Sequence, residues 1–167
     1  SVNMLSDPPN RDIWQHAAAL RALMADVADP ANPFIDGTET SRHFHPFWVG
    51  AAMAANALGL SVWEALTWAS YAFMLVFALG IFLFARAYFR RPWAAAVLLV
   101  VMLFGWAVQQ QHTGSHAFQT LLYGAAYPAT VMIGLSLISW ALVLEALRDP
   151  RVNALLLPLV ALMVATH

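Results

Sequence analysis

The chain has 167 residues, of which 61% are hydrophobic and 10% charged, and its formal net charge is −1. Soluble domains contain about 45–50% apolar and about 25% charged residues, so this composition indicates an integral membrane protein. The formal net charge of −1 argues against a nucleic-acid partner. The absence of cysteine excludes disulfides, thiolate catalysis and Cys-ligated metal sites.

The first region, residues 1–61, is predicted to be an extracytoplasmic loop that carries amphipathic surface helices. Asn10 is a suitable N-cap, and apolar residues recur at helical spacing from Ile13 to Val27. The turn residues of DVADPANP end this first helix. A second short helix is predicted to begin at Pro46, the favoured first-turn residue, and to continue through FWVGAAMAANAL.

The second region, residues 62–167, is predicted to be a transmembrane helical domain. Its apolar spans lie near residues 62–85, 93–109, 127–147 and 152–166. The first of them is long enough for a hydrocarbon core of about 30 Å at about 1.5 Å per residue, and Pro158 should kink the last. The expected fold class is therefore all-α, a polytopic helical membrane protein with amphipathic surface helices before about four transmembrane helices.

Arginines set the expected orientation. The segments after the first and third spans, RAYFRRPW and RDPR, should be cytoplasmic by the positive-inside rule. Residues 1–61 and the loop QQQHTGSHAFQTLLYGAAYP then fall on the outer side. All the histidines are expected on or near that face, which favours a site there: His16, His43, His45, His112, His116 and His167.

Local patterns near the spans are typical of structural roles. Ser61 and Glu64 fit a capping box before an apolar run, and Glu145 can pair with Arg148 three residues later. Trp48 belongs to a set of tryptophans near the predicted boundaries, as an interfacial aromatic belt requires.

Asp12 and His16 are the first candidate catalytic pair. They lie four residues apart, which puts both on one face of a helix. Asp12 could act as a general base or a metal-binding carboxylate, with His16 as its partner. The structural alternatives are an acid favoured by the helix dipole for Asp12 and an interfacial side chain that reaches toward water for His16.

Two further histidine pairs are candidates for binding. His43 and His45 in RHFHPFW resemble a metal-ligand pair, and Pro46 biases His45 toward the extended backbone that would bring both to one side. Imidazole and oxygen donors are compatible with Mg, Mn, Zn and Cu, so the identity of the metal stays open. His112 and His116 form a second pair, predicted to bind sugar hydroxyls or a pyrophosphate of the substrate, although Thr113, Gly114 and Ser115 make a turn an equal alternative.

The order of features in the chain resembles the N-terminal part of type C (GT-C) glycosyltransferases. An acidic residue lies in a long outer loop with surface helices, and consecutive spans follow. Those enzymes take a sugar from a polyprenyl-phosphate or related lipid donor. The segment DIWQHAAALRALMADVADPANPF looks like their first outer loop, and the terminal ATH looks like a histidine-containing span end of some bacterial relatives. The resemblance implies that Asp12 is the acidic residue of catalysis or of Mg or Mn binding, and that the chain resides in the bacterial cytoplasmic (inner) membrane.

Three functional hypotheses follow. The first is the membrane portion of a GT-C-like glycosyltransferase that moves a sugar from a lipid-phosphate donor on the outer face. The alternative is a noncatalytic transmembrane accessory subunit of a larger membrane complex, since small residues such as Gly80 and Gly134 permit close helix approach. The third is a metal-handling or redox membrane protein that uses the outer histidines. Because the chain opens on SVNMLSDPPN and stops at VALMVATH, we expect a piece of a longer protein that is inactive alone.

Overall fold

The computed structural model describes residues 11–36, 39–91, 93–104, 125, 127–149, 151 and 153–164, and within these ranges it is all-helical, without strands. The helices are α1 (Arg11–Ala25), α2 (Pro46–Leu58), α3 (Val62–Phe89), α4 (Ala94–Phe104), α5 (Pro128–Ala146) and α6 (Asn153–Val164). The all-α class predicted from the sequence is confirmed. The described residues divide into two compact units, the first ending at Ala69 and the second beginning at Ser70.

In the first unit α1 packs against α2. Leu20 and Leu23 of α1 and Trp48 of α2 are almost completely buried, and burial of each such side chain contributes about 1.5–3 kcal/mol. The Asn56 side-chain amide donates to the Met24 carbonyl over 3.0 Å and so ties the end of α2 to the end of α1. The two helices predicted as surface helices therefore form one packed pair.

The ends of these helices follow local sequence signals. Pro46 lies in the first turn of α2, as predicted, and Gly59, with a left-handed φ of 67°, caps its C-terminus. The predicted capping box at the start of α3 is confirmed. The Ser61 hydroxyl and backbone N–H donate to the Glu64 carboxylate over 2.7 and 2.8 Å, and the Glu64 N–H donates to the Ser61 hydroxyl over 3.3 Å.

In the described part of the chain, two helices are long and apolar enough, by length and composition, to cross a membrane. They are α3, with 28 residues and a mean hydropathy of 2.1, and α5, with 19 residues and a mean hydropathy of 1.8. The described parts of α4 and α6 are shorter, at 11 and 12 residues, and Pro158 lies inside α6. The predicted spans at 93–109 and 152–166 extend outside the described residues, so a total of about four spans stays a prediction.

In the second unit the backbones of α3 and α5 meet at two glycines. A Cβ added to Gly134 would lie 2.7 Å from the Val76 carbonyl oxygen, and a Cβ on Gly80 would collide with the backbone of Gly134. Helix α6 packs on α5, where the Ser139 hydroxyl contacts the Met163 sulfur at 3.4 Å. Close helix approach at small residues, expected from the sequence, is therefore present within the chain itself.

The predicted ion pair between Glu145 and Arg148 is confirmed, with 2.6 Å between the guanidinium and the carboxylate. The same guanidinium also donates to the Ala87 carbonyl over 3.4 Å. Arg148 follows the end of α5 and Ala87 lies in the last turn of α3. The C-terminal ends of α3 and α5 therefore lie together at one end of the second unit.

Candidate functional site

Helix α1 carries the candidate catalytic pair. Asp12 is the second residue of α1 and His16 follows one turn later, so the two positions share a helix face as predicted. The Asp12 side chain lies outside what the structure describes. His16 is only 8% exposed, which disfavours the alternative in which its side chain reaches toward water.

Two segments that are distant in sequence bring three histidines together near Trp48. The ring of His16 lies 5.8 Å from that of His43 and 5.5 Å from that of Trp48, measured between centroids. The ring of His45 lies 5.8 Å from that of Trp48. We call His16, His43 and His45 the histidine cluster. It joins the catalytic candidate of α1 to the pair that the sequence singled out for metal binding.

A turn before α2 places the last two members of the cluster. The buried Ser41 accepts the His43 N–H on its hydroxyl oxygen over 3.2 Å and the Phe44 N–H on its carbonyl oxygen over 3.0 Å. His45 then adopts an extended backbone, with φ −97° and ψ 161°, directly before Pro46. Pro46 disfavours helical geometry at His45, so the extended conformation predicted from the sequence is confirmed.

Burial and neighbouring charge keep His45 neutral. Desolvation is the largest cause, and together with the nearby His16 and His43 it lowers the pKa of His45 from 6.5 to about 4. Both ring nitrogens of His45 are buried without a hydrogen-bond partner among the described groups. A neutral imidazole has one donor and one acceptor nitrogen, so near pH 7 His45 holds one unsatisfied donor and one unsatisfied acceptor inside the cluster.

The cluster packs through its rings and does not converge on a point. Among the described residues, no group of three or more His, Cys, Asp or Glu side chains is arranged to hold a metal ion. The rings of His43 and Phe34 lie 5.0 Å apart, and those of His45 and Phe47 lie 6.0 Å apart. Metal binding by His43 and His45 stays a prediction.

Sequence reasoning missed Trp48 as the centre of this cluster. Trp48 was assigned to an interfacial belt, but it is 0% exposed and lies in the core of the α1–α2 pair. The sequence signal for this contact was the position of Trp48 in the first turn of α2, three residues after His45. That spacing brings the rings of His45 and Trp48 together.

The other predicted binding residues, His112 and His116, lie outside the described residues, as does His167. Their assignment to substrate binding stays a prediction.

Comparison of the chain with models of known protein families, with curated proteins and with solved structures finds no match.

Proposed function

We propose that this chain is the membrane portion of a GT-C-like glycosyltransferase, which moves a sugar from a polyprenyl-phosphate or related lipid donor at the outer face of the bacterial cytoplasmic membrane. The observation that supports this proposal best is the histidine cluster. His16 follows Asp12 by one turn of α1, and the rings of His43 and Trp48 pack against His16. Polar groups suited to proton transfer and phosphate binding are thus gathered beside an acidic helix position.

In the proposed reaction Asp12 accepts the proton of the acceptor hydroxyl as its oxygen attacks the anomeric carbon of the donor sugar. The new C–O bond forms while the bond between that carbon and the phosphate oxygen breaks, and the leaving phosphate keeps the electron pair. His45 is neutral near pH 7 because burial lowers its pKa to about 4. Its ring nitrogens are buried in the cluster, so in this proposal its ring turns outward to donate a hydrogen bond to the leaving phosphate. His16 and His43 orient that imidazole, and His112 and His116 contribute to substrate binding.

The described side chains do not form a complete metal site, because no three of them are arranged as ligands of one ion. No step of the proposed reaction therefore depends on a cation. Asp12, His43 and His45 are the candidate ligands for Mg or Mn, and metal analysis of the purified protein tests them.

The proposed membrane topology has residues 1–61 outside the cytoplasm and α3 to α6 as four spans. An exposed row of large apolar side chains on α3 supports a lipid environment: Leu75 is 71% exposed, Leu79 45% and Phe82 46%. These residues recur at helical spacing on one face, and soluble proteins rarely expose such a continuous patch. The arginines that follow α3 and α5 would lie on the cytoplasmic side.

The test is transfer of a labelled sugar from a polyprenyl-phosphate donor by the protein in lipid vesicles. Asp12→Asn keeps the size of the side chain and removes the base, so we expect transfer to fall at least about 100-fold. Asp29→Asn is the matched control, since Asp29 is an exposed aspartate of the same region, and it should leave transfer unchanged. Full transfer by Asp12→Asn would remove Asp12 from the mechanism.

A second candidate function is a noncatalytic accessory subunit, in which a partner helix covers the exposed row on α3. This function would be favoured if the chain co-purified with a defined set of membrane proteins. The complex should then transfer no sugar, whether it contains the parent chain or the Asp12→Asn variant. A monodisperse chain that binds polyprenyl phosphate would count against it.

A further inference from the structure

A groove lies at the C-terminal end of α3, where the chain turns into α4. It has a volume of about 440 Å³ and is lined by Phe82, Arg86, Arg90, Arg91 and Ala95. Three of these five residues are arginines, and all three are exposed. The groove belongs wholly to the second unit and shares no residue with the histidine cluster.

Among the described residues, no carboxylate lines the groove. The described acidic groups at this end of the second unit have other partners, because Glu145 pairs with Arg148 at 2.6 Å and Asp149 accepts the Arg151 N–H at 3.0 Å. Three guanidinium groups around one concave surface repel each other unless an anion lies between them. The groove therefore favours a negatively charged ligand.

The backbone of Arg90, one of the three arginines, has an unusual conformation. Arg90 has a φ of 54°, in the left-handed region, and is the non-glycine residue with positive φ in the described part of the chain. This conformation ends α3, with the Arg90 N–H still donating to the Arg86 carbonyl over 3.2 Å. Helices usually place glycine at such a position. A cationic side chain held there at a conformational cost is typical of a residue kept for binding.

The lining has two kinds of surface, which indicates the chemistry of the ligand. Guanidinium groups bind phosphate oxygens through paired hydrogen bonds. Phe82 and Ala95 supply an apolar wall, and α3 is long and apolar enough to cross a membrane. Basic pockets beside such helices suit lipid head groups. We propose that this groove binds the phosphate group of an anionic lipid, with Arg86, Arg90 and Arg91 on the phosphate and Phe82 against the apolar part of the lipid.

The test measures binding of dioleoyl phosphatidylglycerol to the protein in neutral detergent by native mass spectrometry, with dioleoyl phosphatidylcholine as the neutral lipid. An arginine beside a lipid surface contributes about fivefold in affinity. We expect Arg86→Gln and Arg91→Gln each to weaken phosphatidylglycerol binding about fivefold and the double variant about 25-fold. Phosphatidylcholine should bind weakly to every variant.

Arg151→Gln is the matched control for charge. Arg151 is exposed at the same end of the second unit but does not line the groove, so its loss should leave binding unchanged. Arg90→Gly separates binding from folding, because glycine accepts the left-handed backbone while it removes the cation. This variant should bind phosphatidylglycerol about fivefold more weakly and melt at a higher temperature than the parent protein.

Equal weakening by Arg151→Gln would overturn the proposal, since it would show general attraction to a basic surface. Absence of phosphatidylglycerol binding would overturn it as well. Inorganic phosphate that competes at similar concentration would make free phosphate, and not lipid, the source of the bound group. Asp12→Asn should bind phosphatidylglycerol normally, so failure of this proposal is distinguishable from failure of the proposed sugar transfer.

Discussion

Gly80 and Gly134 face each other where α3 and α5 cross, and neither position has room for a side chain. A Cβ on Gly134 would lie 2.8 Å from both the nitrogen and the Cα of Phe77, and these backbone atoms cannot move without shifting the helix. Close backbone approach of this kind stabilises helix pairs through dispersion contacts. Since the two glycines already contact each other, they are not available to a partner helix of an accessory-subunit complex.

Gly134→Ala should therefore destabilise the second unit. Overpacking at a rigid contact costs about 1–3 kcal/mol in the free energy of unfolding, measured by chaotrope titration in detergent micelles. Gly50→Ala is the control, because Gly50 lies in α2 and has no atom within 4 Å of an added Cβ. Alanine in a helix is favoured over glycine by about 0.5–1 kcal/mol, so the control should be neutral or stabilising. Equal losses in both variants would contradict a tight contact at Gly134.

The pKa of His45 predicts an acid-sensitive fold. Its folded value of about 4 is below its ordinary value of 6.5, so the unfolded state takes up the proton first as pH falls. The contribution of His45 to the free energy of unfolding should be constant above about pH 7 and should decrease as pH falls from 6.5 to 4. The loss is up to about 2 kcal/mol once solvent screening is allowed for.

Thermal melts of the protein and of His45→Gln at a series of pH values test this dependence. Glutamine keeps a polar side chain and does not titrate, so its curve should be flatter across the same interval. Two parallel curves would show that His45 does not carry the acid sensitivity.

The capping box predicts a measurable contribution at the start of α3. Ser61→Ala removes the hydroxyl that bonds both the Glu64 carboxylate and the Glu64 N–H, and loss of such a cap costs about 0.5–2 kcal/mol. Thr67→Ala is the control within the same helix, because the Thr67 hydroxyl donates only to the Trp63 carbonyl one turn earlier. We expect a change near zero there. A cost for Thr67→Ala as large as that for Ser61→Ala would refute the assignment.

Features that depend on a few neighbouring residues were predictable from the sequence. The capping box of Ser61, the first-turn Pro46 and the Glu145–Arg148 pair each involve contacts within about one helical turn, where spacing alone sets geometry. Helical periodicity and apolar composition likewise predicted the all-α class. Spacing did indicate that Gly80 and Gly134 suit close helix approach, but not that they would meet each other.

The histidine cluster was not predictable as a unit. Its members lie in α1 and in the segment before α2, and they meet only because those helices pack around Trp48. Periodicity carries no information on which pair of helices will pack. The arginine groove was hidden for a related reason, since the positive φ of Arg90 violates the usual preference for glycine at the end of a helix.

Arg90→Gly gives the sharpest test of that violation. A left-handed backbone costs a non-glycine residue about 1–2 kcal/mol, so glycine at this position should raise the free energy of unfolding by about 1 kcal/mol. Arg91→Gly removes the same charge from the same groove, but Arg91 lacks a positive φ. It should therefore not be stabilising, since glycine only adds freedom to the unfolded chain there. Both variants should lose phosphatidylglycerol affinity by a similar factor, while only Arg90→Gly becomes more stable. If the two variants had the same stability, the strain assigned to Arg90 would be wrong, because relief of charge repulsion would then account for the whole effect.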